Sequence, residues 1–224
     1  MHRVLSRALV CVVLTVSAFG PTLASGAGEP IRPGAFMDSP AGCTLNFVFE
    51  DDTDRYIGTA GHCTGQVGDR VSTPETGPFG TVVFRAHAGW DDFALIRIDP
   101  EMHDRVGTAL EVFGTPTGST TRDETLTGDP IGLEGNGILL GSTAATRSRV
   151  GLFAYDSDQR FVAEIPAIFG DSGGPLVHLA TGKALGVVSG ITVTVPPSTL
   201  YGTTIERALQ LTAAAGLPVR LVTA

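Results

Sequence analysis

The sequence has few charged residues, and positive charge is the scarcer sign. Charged residues make up 17% of the 224 positions, and 15 Lys and Arg face 23 Asp and Glu, which leaves a formal net charge of −8. Nucleic-acid binding through charge is therefore excluded, because no basic surface is available for a phosphate backbone. Hydrophobic residues reach 42%, so the chain is not disordered and can bury a sizeable core.

Apolar runs long enough to cross a membrane are absent. The run over residues 8–19 is too short to span a bilayer; it follows two arginines and precedes the small residues Ala24, Gly26 and Ala27. This pattern predicts a secretory signal peptide over residues 1–27 and an extracellular mature protein without a membrane span. Removing two arginines and no acid takes the net charge from −8 to −10.

Cysteine is scarce, with three in the chain. Cys11 falls within the predicted signal peptide, which leaves Cys43 and Cys63. In an exported protein an even pair predicts a disulfide, here between Cys43 and Cys63.

Motifs for metals, phosphates and dinucleotides are also missing. After the signal peptide the histidines stand at 62, 87, 103 and 178, without an HExxH motif or another paired ligand spacing. We therefore predict no metal and no cofactor.

Glycine is abundant instead. The 29 glycines have no triplet period, and many of them separate short apolar runs, which favours an all-β protein. Strand candidates are 43–49, 56–60, 80–84, 93–98, 137–141, 150–155, 161–165, 175–179, 184–189 and 191–195. The spacing after Thr203 or Thr204 predicts a C-terminal helix that ends near Gly216. A Gly-, Pro-, Ser- and Thr-rich stretch at 113–122 predicts a linker between two β-rich halves.

Two upstream segments carry residues suited to acid–base chemistry. TAGHC (59–63) places His62 beside a cysteine predicted to be paired, and a base needs a fixed imidazole. WDDFALIRI (90–98) places Asp92 before an apolar strand, where it can accept from an imidazole N–H. Asp91 competes with Asp92 for that role, and both acids can also simply cap a turn.

GDSGGP (170–175) is the strongest signal. The Ser172 hydroxyl needs a base before it can act as a nucleophile. Attack on a carbonyl creates an oxyanion, and glycines let backbone N–H groups converge on it. The N–H groups of Gly170 and Ser172 are the natural pair. The simpler interpretation is a glycine turn with a solvent-facing serine.

Together TAGHC, DFALI (92–96) and GDSGGP resemble the chymotrypsin-like, or trypsin-family, serine proteases, in the family's order of His, Asp and Ser. The resemblance runs from about residue 34 to 212. The segments CTLNFVF, GHCT and IERAL are similar to the small bacterial secreted branch.

The resemblance implies two six-stranded antiparallel β-barrels with a C-terminal helix and an active site in the cleft between them. Residues 28–115 would form the N-terminal barrel, and 116–224 the C-terminal barrel and helix. His62 would be the base, Asp92 its orienting carboxylate and Ser172 the nucleophile. Asp171 would be buried beside a cation, for which the candidates are Arg122, Arg147 and Arg149.

The resemblance also places the substrate. Ser189 would lie near Asp92, and Gly190 and Ile191 would pair with extended substrate backbone. Pro166 would lie at the floor of the specificity pocket, with Ile191 and Thr199 in its walls. Because Pro166, Ala167 and Ile168 carry no acid, we predict that cleavage is not trypsin-like. The side chains of Ile191 and Thr199 would narrow the pocket, which predicts a preference for small or medium aliphatic residues.

The prediction is a secreted, monomeric serine endopeptidase that acts on proteins or peptides. Two alternatives stay open at this stage. One is an inactive binding protein on a protease fold. The other is a serine esterase, because GDSGG also fits G-x-S-x-G, although that fold requires a histidine later in the chain and only His178 follows Ser172.

Overall fold

The computed structural model describes residues 29–40, 42–138, 144–157, 160–192 and 199–224. The first half contributes seven strands: β1 (Phe36–Met37), β2 (Cys43–Thr44), β3 (Val48–Glu50), β4 (Arg55–Thr59), β5 (Arg70–Thr73), β6 (Gly77–Ala88) and β7 (Asp91–Ile98). Short 3-10 turns cover Gly61–Cys63, Pro100–Arg105 and Arg122–Glu124.

The second half contributes β8 (Pro130–Glu134), α1 (Ala144–Arg147), β9 (Ser148–Asp156), β10 (Arg160–Glu164), β11 (Pro175–His178), β12 (Lys183–Thr192), β13 (Thr199–Thr204), α2 (Ile205–Ala214) and β14 (Arg220–Leu221). The second half closes into a barrel in the order β10-β13-β12-β11-β8-β9. The first half forms a six-stranded sheet in the order β14-β3-β4-β7-β6-β5, beside the β1–β2 pair. All strand pairs in these sheets are antiparallel, so the predicted mostly-β fold with two six-stranded halves is confirmed.

The last strand of the chain lies in the first half. β14 pairs with β3, with Arg220 opposite Glu50 and Leu221 opposite Phe49. The C-terminal segment therefore crosses back after α2 and supplies the sixth strand of the first sheet. The boundary between the two halves at residues 115 and 116 remains a prediction. β14 comes after this boundary in the chain, although it pairs within the first sheet.

Helix α2 begins where the sequence predicts. The Thr204 side chain accepts from the N–H of Arg207, and Gly216 follows the helix at a φ of +81°. Its buried residues Ile205 and Ala208 belong to a core cluster that also contains Phe93 of the first half and Val187 of the second. A second cluster fills the interior of the first half, and a third fills that of the second half. The shared cluster packs residues of the two halves against each other.

Three strand predictions differ from the structure. The candidate at 43–49 is interrupted, because the N–H of Leu45 donates to Ala35 and the N–H of Asn46 to Gly58 rather than to one continuous partner. Residues 137–138 are not in a strand, and 139–141 lie outside the described residues. The candidates at 184–189 and 191–195 join into one strand, β12, because its pairing with β13 continues past a bulge between Val188 and Gly190. Residues 193–195 lie outside the described residues.

A disulfide joins Cys43 to Cys63, as predicted, with the two Cα atoms 6.1 Å apart. It links β2 to the 3-10 turn that carries His62. Both cysteines are buried, so the bond anchors this turn within the core of the first half.

We expect the Cys43→Ala/Cys63→Ala variant to lose about 3 kcal/mol of unfolding free energy, because the bond closes a loop of 20 residues in the unfolded chain. Urea denaturation followed by circular dichroism measures the loss. A reductant should lower the stability of the natural protein towards that of the variant and leave the variant unchanged. Equal stability of the two oxidised proteins would contradict the expectation.

Candidate active site

His62 lies on the 3-10 turn that follows β4. Gly61 before it packs so closely that a Cβ would lie 2.0 Å from the carbonyl oxygen of Ala86. The Gly61 carbonyl accepts from Nε of Arg85 at 2.9 Å. The turn is thus held by the disulfide on one side and by β6 on the other.

Asp92 is the carboxylate that meets this imidazole. Its Oδ2 lies 2.7 Å from Nδ1 of His62, and its Oδ1 accepts the backbone N–H of His62 at 2.8 Å. Asp91 points elsewhere and forms a two-point ion pair with Arg207 of α2. The structure therefore separates two adjacent acids that the sequence left in competition.

The Asp92 carboxyl is buried but ionised. Burial by itself raises the pKa of Asp92, yet the hydrogen bonds and positive charge of His62, with the charge of His87, hold this pKa below its usual value. The Asp92 backbone N–H donates to the Thr203 hydroxyl at 3.1 Å. Because Thr203 lies on β13, the second half helps to position a carboxylate of the first.

Ser172 lies between β10 and β11 on a loop that needs its glycines. Gly170 and Gly173 have φ values of +102° and +85°. A Cβ on Gly173 would also lie 2.3 Å from the carbonyl oxygen of Thr44. The backbone N–H groups of Gly170 and Ser172 make no hydrogen bond to any described residue, so both remain available to a ligand.

Thr44 of β2 ties this loop to the first half. Its N–H donates to the carbonyl oxygen of Ser172, and its hydroxyl donates to that of Gly170, both at 2.8 Å. The same hydroxyl accepts from the N–H of Asn136 at 3.0 Å. Sequence reasoning missed Thr44 and Asn136, because both act through contacts between distant parts of the chain.

Asp171 is fully buried beside Arg149. The Arg149 guanidinium donates to both carboxylate oxygens, at 2.7 Å and 2.5 Å. The N–H groups of Gly137 and Ile168 donate to the same carboxylate, each at 2.8 Å. Of the three candidate arginines, the structure selects Arg149, and the four hydrogen bonds compensate for burying the charge.

His62 and Ser172 line one open cleft of about 350 Å³. Its other lining residues include Ile168, Phe169, Gly170, Val188, Ser189, Gly190, Ile191 and Tyr201. Within the described chain no hydrogen bond joins the His62 ring to the Ser172 hydroxyl. Such bonds are often long in a ligand-free site and tighten with substrate.

The predicted substrate residues are only partly brought together. Ser189, Gly190 and Ile191 line the cleft. The ladder between β12 and β11 ends at Val187, and the N–H and carbonyl of Val188 still bond to Gly174 and Gly173. Among the described residues this edge of β12 has no partner strand from residue 189 onward. Pro166 is exposed and does not line the cleft, because its carbonyl turns to Arg149 at 3.0 Å. Thr199 also lies outside, paired with Glu164 and Thr192. Roles for Pro166 and Thr199 stay predictions.

Tyr201 contributes to the cleft and was missed by the sequence analysis. It pairs with Gly190 across β12 and β13, and a Cβ on Gly190 would lie 2.6 Å from the Tyr201 hydroxyl. The absence of a side chain at Gly190 therefore leaves room for the Tyr201 side chain. The resemblance pointed to Thr199, two residues earlier, because the register of the two strands is not visible in the sequence.

A group of potential metal ligands, Cys43, His62 and Cys63, lies within 4.8 Å. The two sulfur atoms are bonded to each other, so neither can act as a thiolate ligand.

Among the described residues no helix is long and apolar enough to cross a membrane.

The architecture matches solved structures of bacterial serine proteases. Thermobifida fusca protease A superposes with a TM-score of 0.62 at 25% identity over 87% of this chain and 99% of its own. The chain has the chymotrypsin-like serine protease fold. The resemblance to this group is thus confirmed.

Two further serine protease structures share this fold at lower sequence identity. Cellulomonas bogoriensis chymotrypsin has a TM-score of 0.62 at 20% identity over 87% of this chain and 99% of its own. A glutamic-acid-specific serine protease has a TM-score of 0.65 at 17% identity over 86% of this chain and all of its own. No protein-family model matches the sequence, and no curated protein matches it.

Replacing Arg149 with Met should lower the unfolding free energy by about 3–5 kcal/mol, because it leaves the Asp171 charge buried without a cation. The matched control is Arg207→Met, which breaks the more exposed pair with Asp91 and should cost about 1 kcal/mol or less. Urea denaturation of the three proteins measures both losses. Equal losses in the two variants would contradict this assignment of Arg149.

Proposed function

We propose that this protein is a secreted serine endopeptidase that hydrolyses peptide bonds through Ser172, His62 and Asp92. The observation that carries the proposal is the pairing of His62 Nδ1 with the buried Asp92 carboxylate at 2.7 Å, in a cleft that also holds Ser172. Likeness to solved serine proteases supports protease chemistry at the same cleft.

In this mechanism His62 Nε2 takes the proton of the Ser172 hydroxyl as its oxygen attacks the scissile carbonyl. Asp92 keeps the imidazole oriented and stabilises the imidazolium that forms. The free N–H groups of Gly170 and Ser172 bind the oxyanion of the tetrahedral intermediate. His62 then returns the proton to the leaving amine, and water hydrolyses the acyl-enzyme by the same steps.

Substrate backbone is proposed to bind along the free edge of β12. Residues 189–191 follow the point at which pairing with β11 stops, so an extended peptide can add there as a further strand. In this proposal the scissile bond lies beside Ser172 and His62, which line the same cleft.

The cleft favours a small or medium aliphatic side chain before the cut. Ile168, Val188 and Ile191 are apolar, and no acidic side chain is among the described lining residues. His62 is the only histidine among them, whereas the glutamic-acid-specific neighbour uses a histidine triad in substrate binding. These lining residues support neither trypsin-like nor glutamate specificity.

The esterase alternative does not fit this architecture. The nucleophile elbow belongs to a fold of alternating strands and helices, whereas Ser172 lies between strands of a closed β-barrel. His178 is buried, with Nε2 3.2 Å from Asp129 and Nδ1 2.8 Å from the Thr181 hydroxyl. Both its nitrogens therefore have partners other than Ser172.

A fluorophosphonate probe should label Ser172 covalently in the folded protein, and peptide mapping by mass spectrometry locates the adduct. Ser172→Ala should abolish labelling, and either Ser172→Ala or His62→Ala should lower kcat by about 10⁴-fold or more, because the groups act as a unit. Absence of labelling in the folded natural protein would instead favour a non-enzymatic binder.

A panel of peptides that differ only in the residue before the cut should show the highest kcat/KM for small or medium aliphatic residues. Ile191→Ala should raise the ratio of kcat/KM for Phe over Ala by about 10-fold, because it removes several buried carbon atoms from the pocket. Thr192→Ala, at the exposed neighbouring position, is the matched control. Preferred cleavage after Arg or Lys would contradict the proposal.

A further inference from the structure

A second histidine contacts the Asp92 carboxylate. His87 lies directly opposite Asp92 in the register of β6 and β7, so both side chains project from the same face. Nδ1 of His87 is 3.3 Å from Oδ1 of Asp92. The two-residue turn of Gly89 and Trp90, with Gly89 at a φ of +62°, sets this register.

Asp92 is thereby shared between two imidazoles. Its Oδ2 contacts Nδ1 of the His62 ring. Its Oδ1 accepts the backbone N–H of His62 and also contacts Nδ1 of the His87 ring. The two ring centroids are 6.0 Å apart. One carboxylate whose side chain is 11% exposed serves two groups that can each carry a positive charge.

The other ionisable groups around this hairpin are directed elsewhere. Asp91 on β7 pairs with Arg207 of α2, and Arg160 of β10 stacks over the Trp90 ring at 3.8 Å. Arg85 on β6 donates to the Gly61 carbonyl. Tyr201 of β13 lines the same small cleft as the two histidines and contacts the edge of Trp90. The charges that act directly on one another here are therefore those of Asp92, His62 and His87.

We propose that His87 is a positioning residue that shares the Asp92 carboxylate with His62 and sets the acid end of the pH range in which the site works. The inference rests on the proposed function of His62 as a base. A proton on His87 repels a second proton on His62 across the 6.0 Å between the two rings, and neutral His62 is the form that can accept the Ser172 proton.

The experiment compares kcat/KM against pH for the natural protein, His87→Gln and His87→Lys. At 6.0 Å the interaction of two charges moves a titration midpoint by about 0.5–1 pH unit at dielectric constants of roughly 40–80. The acid limb should therefore move up by about that amount in His87→Gln. In His87→Lys it should move down, and kcat should fall by about 3- to 10-fold, because a permanent cation opposes the imidazolium formed during reaction.

A second readout does not depend on turnover. In Ser172→Ala, NMR titration of the His62 ring should have a higher midpoint when His87 is also replaced by Gln. His103→Gln, on the 3-10 turn Pro100–Arg105 away from the cleft, is the matched control and should leave the His62 midpoint unchanged. A purely structural role of His87 would not move this midpoint selectively.

The outcomes separate the two proposals. If the natural protein neither reacts with the fluorophosphonate probe nor cleaves peptides, the proposed function fails, and the NMR titration still tests the coupling of the histidines. If the natural protein is active but His87→Gln leaves the acid limb and the His62 midpoint unchanged, the role of His87 is overturned.

Discussion

The contact between Thr44 and the loop of Ser172 is the constraint on which the cleft depends. Thr44 belongs to β2 of the first half and makes four hydrogen bonds to the second half. It donates one each to the carbonyl oxygens of Gly170 and Ser172, and its hydroxyl accepts two from Asn136. The adjacent Cys43 is bonded to Cys63, next to His62. One short segment therefore relates the nucleophile loop to the imidazole, although the two lie in different sheets.

Two buried carboxylates shape the cleft, and each is stabilised in a different way. Asp171 has a fixed cation in Arg149 and two backbone donors, an arrangement that locks the turn before Ser172. Among the described residues, the Asp92 carboxylate contacts two imidazoles and a backbone N–H and no fixed cation. The first carboxylate supports the shape of the loop, and the second is suited to holding a base that must gain and lose a proton.

The sequence motifs identified most of the candidate catalytic residues but little of the structure that surrounds them. His62, Asp92 and Ser172 stand out because each lies in a short, distinctive segment, and strand alternation with many glycine turns indicated the mostly-β fold. The strand register, the crossing of β14 into the first sheet and the lining of the cleft beyond residues 189–191 were not predictable. Those features arise from pairings between residues far apart in the chain, such as Gly190 with Tyr201, for which local pattern carries no signal.

The sequence by itself determined the candidate residues, the pairing of Cys43 with Cys63 and the position of helix α2, because these depend on local composition, capping and cysteine count. Only the tertiary structure decided between Asp91 and Asp92, selected Arg149 among three arginines and placed His87 against Asp92. Each of these choices depends on which side chains the folded sheets bring within hydrogen-bonding distance. That distance is set by packing between strands and between the two halves of the chain.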